Sequence, residues 1–172
     1  MFDPGRQDML LALLNTTPVI DGTGAVRDEL ADPEAAAAWQ RAHGGNGSGE
    51  ERRHLVRARD ALQAVVGGGR PVASLAPLLE GVRYRPHVSP EGVTWELDAP
   101  AERRLAVEPV LTWFALQEEK PGRLRPCANP ECRLFLLDRS RTNKARWCSM
   151  AVCGNRMKAR RHYQRTRDGA AE

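Results

Sequence analysis

A mainly α-helical body with a small β-hairpin, an α+β unit, followed by a compact metal-organised module, is the fold class that three observations predict. All four cysteines of the 172-residue chain fall in its last third, as the pairs Cys127/Cys132 and Cys148/Cys153, each Cys-x4-Cys, with fifteen residues between the pairs. Charge divides the chain near the same place. Residues 1–119 hold 12 Arg/Lys against 18 Asp/Glu, a net of −6, whereas residues 120–172 hold 14 against 4, a net of +10. Apolar residues before position 120 recur mostly at helical spacing, with one alternating stretch split by a turn. A chain of this length holds one medium domain or a modest domain with a small appendage, and the cysteines favour the second: a body over 1–122 and a module over 123–168.

The first helix is expected over Arg6 to Leu14, where Met9, Leu10, Leu13 and Leu14 share a face; Thr16-Thr17-Pro18 stops it and Asn15 sits at its exit. Asp32-Pro33-Glu34 reads as an N-cap with proline in the first turn, leading into Ala35 to Trp39. The glycine-rich run 44–49 offers no hydrophobic anchor and is expected to be a flexible linker or exposed loop. From Glu51 to Val66 the residues Leu55, Ala58, Leu62, Val65 and Val66 form a core face, with Arg52, Arg53, Arg57, Arg59 and Asp60 mostly solvated, until Gly67-Gly-Gly69 ends the helix. Val72 to Leu79 suggests a short helix, and Arg83 to Val88 with Val93 to Leu97 a hairpin across Ser-Pro-Glu-Gly. Ala101 to Glu118 is the most apolar helical stretch, with a kink or a broken start expected at Pro109, and Lys120-Pro121-Gly122 closes the body. Trp39, Trp95 and Trp113 are expected to fill the body's core and Trp147 that of the module.

In a reducing compartment four paired thiols are metal ligands rather than disulfides. Four thiolates make a closed, tetrahedral, structural site for one Zn2+, with no position open to substrate, which argues against an enzyme. Asn129-Pro130 supplies the turn inside the first pair. Arg133 to Leu137 and Lys144 to Trp147 are expected to pair as strands around a turn at 138–143. Ser149 should cap a helix carrying Cys153 in its first turn, with Val152, Arg156, Ala159 and Tyr163 packed on that hairpin against Phe135 and Trp147. The order of knuckle, hairpin and helix is that of a treble-clef-like zinc finger.

A tetrathiolate zinc carries a formal charge of about −2, so one or two nearby cations are needed for the site alone. The module has far more. Arg139, Arg141, Lys144 and Arg146 before the helix, and Arg156, Lys158, Arg160, Arg161 and Arg165 along it, form a field suited to phosphates and are the candidate nucleic-acid contacts. His162 faces outward with them, and His43, His54 and His87 lie scattered without metal-ligand spacing. Gly22-Thr-Gly24 and Gly67-Gly-Gly69 lack the rest of a nucleotide-binding fingerprint and read as turns. Met9 to Leu14 has neither the flanks nor the cleavage site of a signal peptide, and no apolar run reaches the ~20 residues of a membrane span. A cytoplasmic, nucleoid-associated protein is expected.

Cys127-Ala-Asn-Pro-Glu-Cys132, Arg146-Trp-Cys-Ser-Met150 and the run from Cys153-Gly-Asn-Arg156 to His162 resemble the bacterial CGNR zinc finger. Leu13-Leu-Asn-Thr16, Asp32-Pro-Glu34 and Trp39 are similar to the ABATE domain that usually precedes that finger. The resemblance implies a stress-induced transcription regulator with DNA as its partner. RNA binding, or docking of the basic finger on an acidic protein, are the alternatives. A small-molecule ligand of the body, for which Asn15 and Asp21 are candidate lining residues, and homodimerisation through the body complete the expectations.

Overall fold

The computed structural model describes residues 4–20 and 23–168; Asp21, read as a turn residue with a pocket-lining role as the alternative, and Gly22, read as the start of a turn, lie outside the described residues. Five α-helices and two small antiparallel sheets follow one another: α1 (Pro4–Leu14), α2 (Pro33–Ala42), α3 (Gly49–Val66), β1 (Arg83–Ser89), β2 (Gly92–Asp98), α4 (Ala101–Glu119), β3 (Leu124–Pro126), β4 (Phe135–Leu137) and α5 (Asn155–Asp168). A 3-10 turn at Val72–Leu78 links α3 to β1. No described helix is long and apolar enough to cross a membrane.

The core lies where α3 and α1 pack along α4. Leu10, Leu13 and Leu14 of α1 meet Leu55, Ala58 and Leu62 of α3 and Leu105, Val110, Trp113 and Leu116 of α4, all buried. Each leucine so buried contributes about 2 kcal/mol, more than any single helix cap. That packing also carries α4 unbroken through Pro109, where a kink or a broken start was expected, so the start is not broken; the buried neighbours on either side offset a proline cost of about 3 kcal/mol. α2 is held differently. Its fully buried side chains are Ala36 and Gln40, so the cap, in which Asp32 accepts from the Ala35 amide at 2.8 Å, matters proportionally more, at about 1 kcal/mol.

The glycine-rich run is an ordered loop rather than a linker, and its anchor is polar. Glu51 is buried and accepts from the amides of Asn46 and Gly47 at 2.9 and 3.0 Å, while its own amide donates to the Ser48 hydroxyl at 3.1 Å. This Ser48-x-x-Glu51 arrangement is a capping box whose carboxylate reaches past the cap into the loop. A Cβ at Gly45 would lie 2.5 Å from the Glu51 carboxylate and 2.7 Å from Leu105, so only glycine fits there.

Arg59, expected in solvent, is 3 % exposed. Its guanidinium grips the Asp28 carboxylate with two bonds of 2.6 and 2.9 Å, meets Asp60 through Nε at 2.9 Å and reaches the Thr16 hydroxyl at 3.3 Å. Partners on the segment before α2 make its burial tolerable, and nothing in α3's own periodicity encodes them.

β1 and β2 pair as the expected hairpin, with Tyr84 opposite Leu97, Pro86 opposite Trp95 and Val88 opposite Val93. Directly opposed residues share a face, so this ribbon has one apolar side. That side is in solvent: Trp95 is 64 % exposed and Val88 76 %. The assignment of Trp95 to the core was therefore wrong, because a two-stranded ribbon has a core only where another layer covers it. Trp113 is buried as expected, and Trp39 is half-buried against the core, stacked on His43 at 3.8 Å.

The second sheet corrects the expected hairpin. Phe135–Leu137 pairs with Leu124–Pro126, the residues just before the first cysteine, and not with residues 144–147. Leu124 and Phe135 are spent in the body's core. Asn15 completes the joint: its side-chain oxygen accepts from the Phe135 amide at 2.7 Å and its side-chain nitrogen donates to the Phe135 carbonyl at 3.2 Å. One side-chain amide thus serves β4 as a neighbouring strand would. Asn15→Ala strands both backbone groups at a cost of about 2 kcal/mol. Hydrogen exchange should show the Phe135 amide losing its protection; unchanged protection and an unchanged melting midpoint would reject that role.

Candidate metal centre and nucleic-acid interface

Each cysteine is placed by its own piece of backbone. Cys127 ends the β3 side, its amide donating to the Leu134 carbonyl at 2.8 Å, and Cys132 closes the knuckle through its amide to the Asn129 carbonyl at 2.9 Å. Ser149 caps the following turn by accepting from the Val152 amide, as expected, and a single π-helical turn, Met150–Gly154, carries Cys153 inward before α5 begins. Gly154 lets the turn pass close to its neighbours, since a Cβ would lie 2.8 Å from the end of the Met150 side chain and 3.2 Å from Trp147 and would push Met150 aside.

The four sulfurs lie within 4.8 Å of one another, with Cys132–Cys148 and Cys148–Cys153 both at 3.7 Å. A tetrahedral zinc with bonds of ~2.3 Å requires sulfurs about 3.8 Å apart. The donor set therefore fits one structural zinc. Three N–H groups point at the sulfurs from 3.4 Å, those of Leu134 to Cys132, Cys148 to Cys127, and the Asn129 side chain to Cys153. They offset part of the thiolate charge, and Asn129 is completely buried in doing so.

Without metal the thiols differ. Burial pushes Cys132 up to about 11 and drives Cys148 higher still. Burial acts on Cys127 in the same direction but is outweighed by the amides of Asn129 and Cys148, and its value falls below that of an ordinary thiol. Metal uptake at neutral pH thus displaces protons from the raised thiols, and affinity falls as pH falls.

A second hub lies beside the metal centre. Asp138 is 3 % exposed and accepts from the amides of Ser140 and Ala145 at 2.9 and 2.7 Å and from Arg125 at 2.8 Å. The bonds from Ser140, against the opposing effect of burial and together with those from Ala145 and Arg125, hold its carboxyl far below the usual carboxylate range. Arg125 also donates to the Asn143 side chain at 2.8 Å and to the Ala145 carbonyl, and the Ala128 amide takes the Arg146 carbonyl. The Asn143, Ala145 and Arg146 carbonyls and the Ala145 amide are therefore taken by side chains and the knuckle and not by a partner strand. Arg125 escaped sequence reading, and only the Asp138-x-Ser140 spacing, an Asx-turn pattern, signals this hub.

The nine candidate contacts divide. Arg139 is ion-paired with Asp8 of α1, and Arg160 with Glu131 of the knuckle. Arg156 is half-buried near the same glutamate. Arg146 is exposed and lies over the half-buried Trp147 ring, 5.2 Å from its centroid. Arg141 and Lys144 are exposed on the loop, and Lys158, Arg161 and Arg165 are exposed together along α5, with His162 between them. The expected packing stripe of α5 is overturned: Val152 is 49 % and Tyr163 69 % exposed, and no residue of Asn155–Asp168 whose burial is described is buried. Phe135, its intended partner, faces the body instead.

A helical body joined to a closed four-cysteine zinc site with a basic helix defines a zinc-finger protein. Comparison with known families agrees in both halves. The CGNR zinc finger matches residues 123–166, and the ABATE family, described as "putative stress-induced transcription regulator", matches residues 7–129. The chain belongs to the ABATE family and carries a CGNR zinc finger. Neither is an enzyme family. No curated protein matches the chain.

Proposed function

We propose that this protein is a DNA-binding transcription regulator acting in the cytoplasm at the nucleoid, in which zinc is scaffold and the exposed cations of α5 and the loop before it meet phosphates. The observation that carries this reading is α5 itself: a helix that starts at the metal centre, has no fully buried residue among those whose burial is described and lines one side with Lys158, Arg161 and Arg165. A helix polar on all sides has no packing reason to stand there. Arg141, Lys144 and Arg146 extend the same field, while Arg139 and Arg160 first hold the finger to Asp8 and to Glu131.

Affinity for duplex DNA should then fall steeply with salt, because each phosphate contact releases condensed counterions. Arg161→Ala with Arg165→Ala should flatten the log–log salt dependence by about 2 units and leave zinc content intact. An unchanged slope would take the helix out of the interface. Competition by structured RNA and heparin at fixed salt separates this reading from RNA binding and from generic attraction of polyanions.

A further inference from the structure

Alongside its core face, α3 presents a second stripe to a cleft. Arg53, Val56 and Arg57 lie on it, the segment Asp28–Ala31 rises on one side, and Arg70 and the 3-10 turn with Leu78 close the other. The cleft is open to solvent on one side and its volume is about 720 Å3, within the ~300–1,000 Å3 of small-molecule sites. Leu30, Val56 and Leu78 give it an apolar floor.

The charge of this cleft runs against its surroundings. The body as a whole is acidic, at −6 over residues 1–119, yet four of its arginines line this one cavity. The two carboxylates in the wall, Asp28 and Asp60, are both engaged by Arg59. Arg52 donates to the carbonyls of Leu30 and Ala31 and so ties the two walls together. The guanidinium groups of Arg53, Arg57 and Arg70 are exposed and make no side-chain hydrogen bond or ion pair among the described residues. Counting Arg59, five guanidinium groups against two carboxylates leave +3 around the cavity. Guanidinium forks match carboxylate and phosphate geometry, and a concave apolar floor strengthens them by excluding water.

We propose that this cleft binds a small organic anion, a carboxylate or phosphate head on an apolar body, with Arg53, Arg57 and Arg70 around the head and Leu30, Val56 and Leu78 against the rest. It is separate from the finger and stands whether or not the finger binds DNA. Neither Asn15 nor Asp21 is needed: Asn15 is occupied with Phe135.

Isothermal titration of the zinc-loaded full chain tests this with 4-phenylbutyrate, phenyl phosphate and decanoate, against uncharged 4-phenylbutyramide and inorganic phosphate. At least one of the three amphiphilic anions should bind at submillimolar Kd, with 4-phenylbutyramide and phosphate each about tenfold weaker or more. Arg53→Gln with Arg57→Gln, both exposed and so not expected to disturb folding, should weaken that anion by about tenfold or more at an unchanged melting temperature. Equal binding of 4-phenylbutyrate and its amide, an unchanged affinity in the double variant, or no saturable binding of any of the three anions up to ~10 mM would each overturn the proposal. Loss of duplex DNA affinity in the double variant, with no anion bound by the parent, would also overturn it by making the cleft a phosphate-backbone contact.

Discussion

Cys148→Ser should leave a protein that no longer holds stoichiometric zinc and whose chain from about residue 143 onward is unfolded, while the helical body stays intact. Cys148 is the sulfur that bridges the two halves of the site, 3.7 Å from both Cys132 and Cys153. Structural zinc contributes an apparent binding free energy of about 10–16 kcal/mol in small metal-dependent modules, and the polar segment 143–168 has no core to replace it. Only Cys153 and Gly154 are buried there among the residues whose burial is described. β3 and β4 have a second anchorage through Leu124, Phe135 and Asn15, so the boundary of melting should fall after them and not at the first cysteine. Metal analysis together with backbone amide exchange reads both halves of this expectation. Stoichiometric zinc retained at neutral pH would contradict the ligand set, and collapse of α1, α3 and α4 along with the finger would contradict the independence of the body's core.

Asp28→Ala should cost about 3 kcal/mol, the largest effect of any single surface-segment substitution in the body. Arg59 is almost fully buried, and removing the carboxylate that takes two of its N–H groups leaves a guanidinium with only Asp60 and the Thr16 hydroxyl. At roughly 2–4 °C per kcal/mol for a protein of this size, the melting midpoint drops by about 6–12 °C. Asp60→Ala supplies the contrast. Its carboxylate is 60 % exposed, so its pair with Arg59 contributes about 1 kcal/mol or less. Burial raises the Asp28 carboxyl, but the bond from Arg59, the Leu30 amide and the charges of Arg59 and Arg52 together outweigh it and the net shift is downward. Its contribution is therefore present above the ordinary carboxylate value of about 4 and is lost as pH falls through the lowered value. Thermal melts of the two variants that agree to within a degree would reject the buried-charge account.

What sequence reading could and could not reach follows from how far apart the interacting residues lie. The metal ligands, the caps at Asp32 and Ser149, the core face of α3 and the pairing of β1 with β2 as a hairpin depend on neighbours within a turn or a hairpin, and each was legible from spacing alone. Asn15 with Phe135, and Arg59 with Asp28, join positions 120 and 31 residues apart. No local period encodes them, and a polar side chain that completes a strand or a buried ion pair looks like any solvated one. Trp95 and Phe135 show the converse. Both obey their strand pattern, but which apolar face meets a core depends on what is packed above it, and that is a property of the assembled body.

α5 begins at a rigid point. Beyond Gly154 it gains little from burial, and fourteen residues alone barely sustain a helix in water, the more so with like charges at positions 158, 161 and 165 repelling along one side. It is a tethered arm more than a rod, and its order and its charge are coupled. Anions spaced along it would cancel the repulsion and lengthen the helix in the same event, so an encounter draws on a wider reach than a docked helix has. The entropy of stiffening is then subtracted from the final affinity.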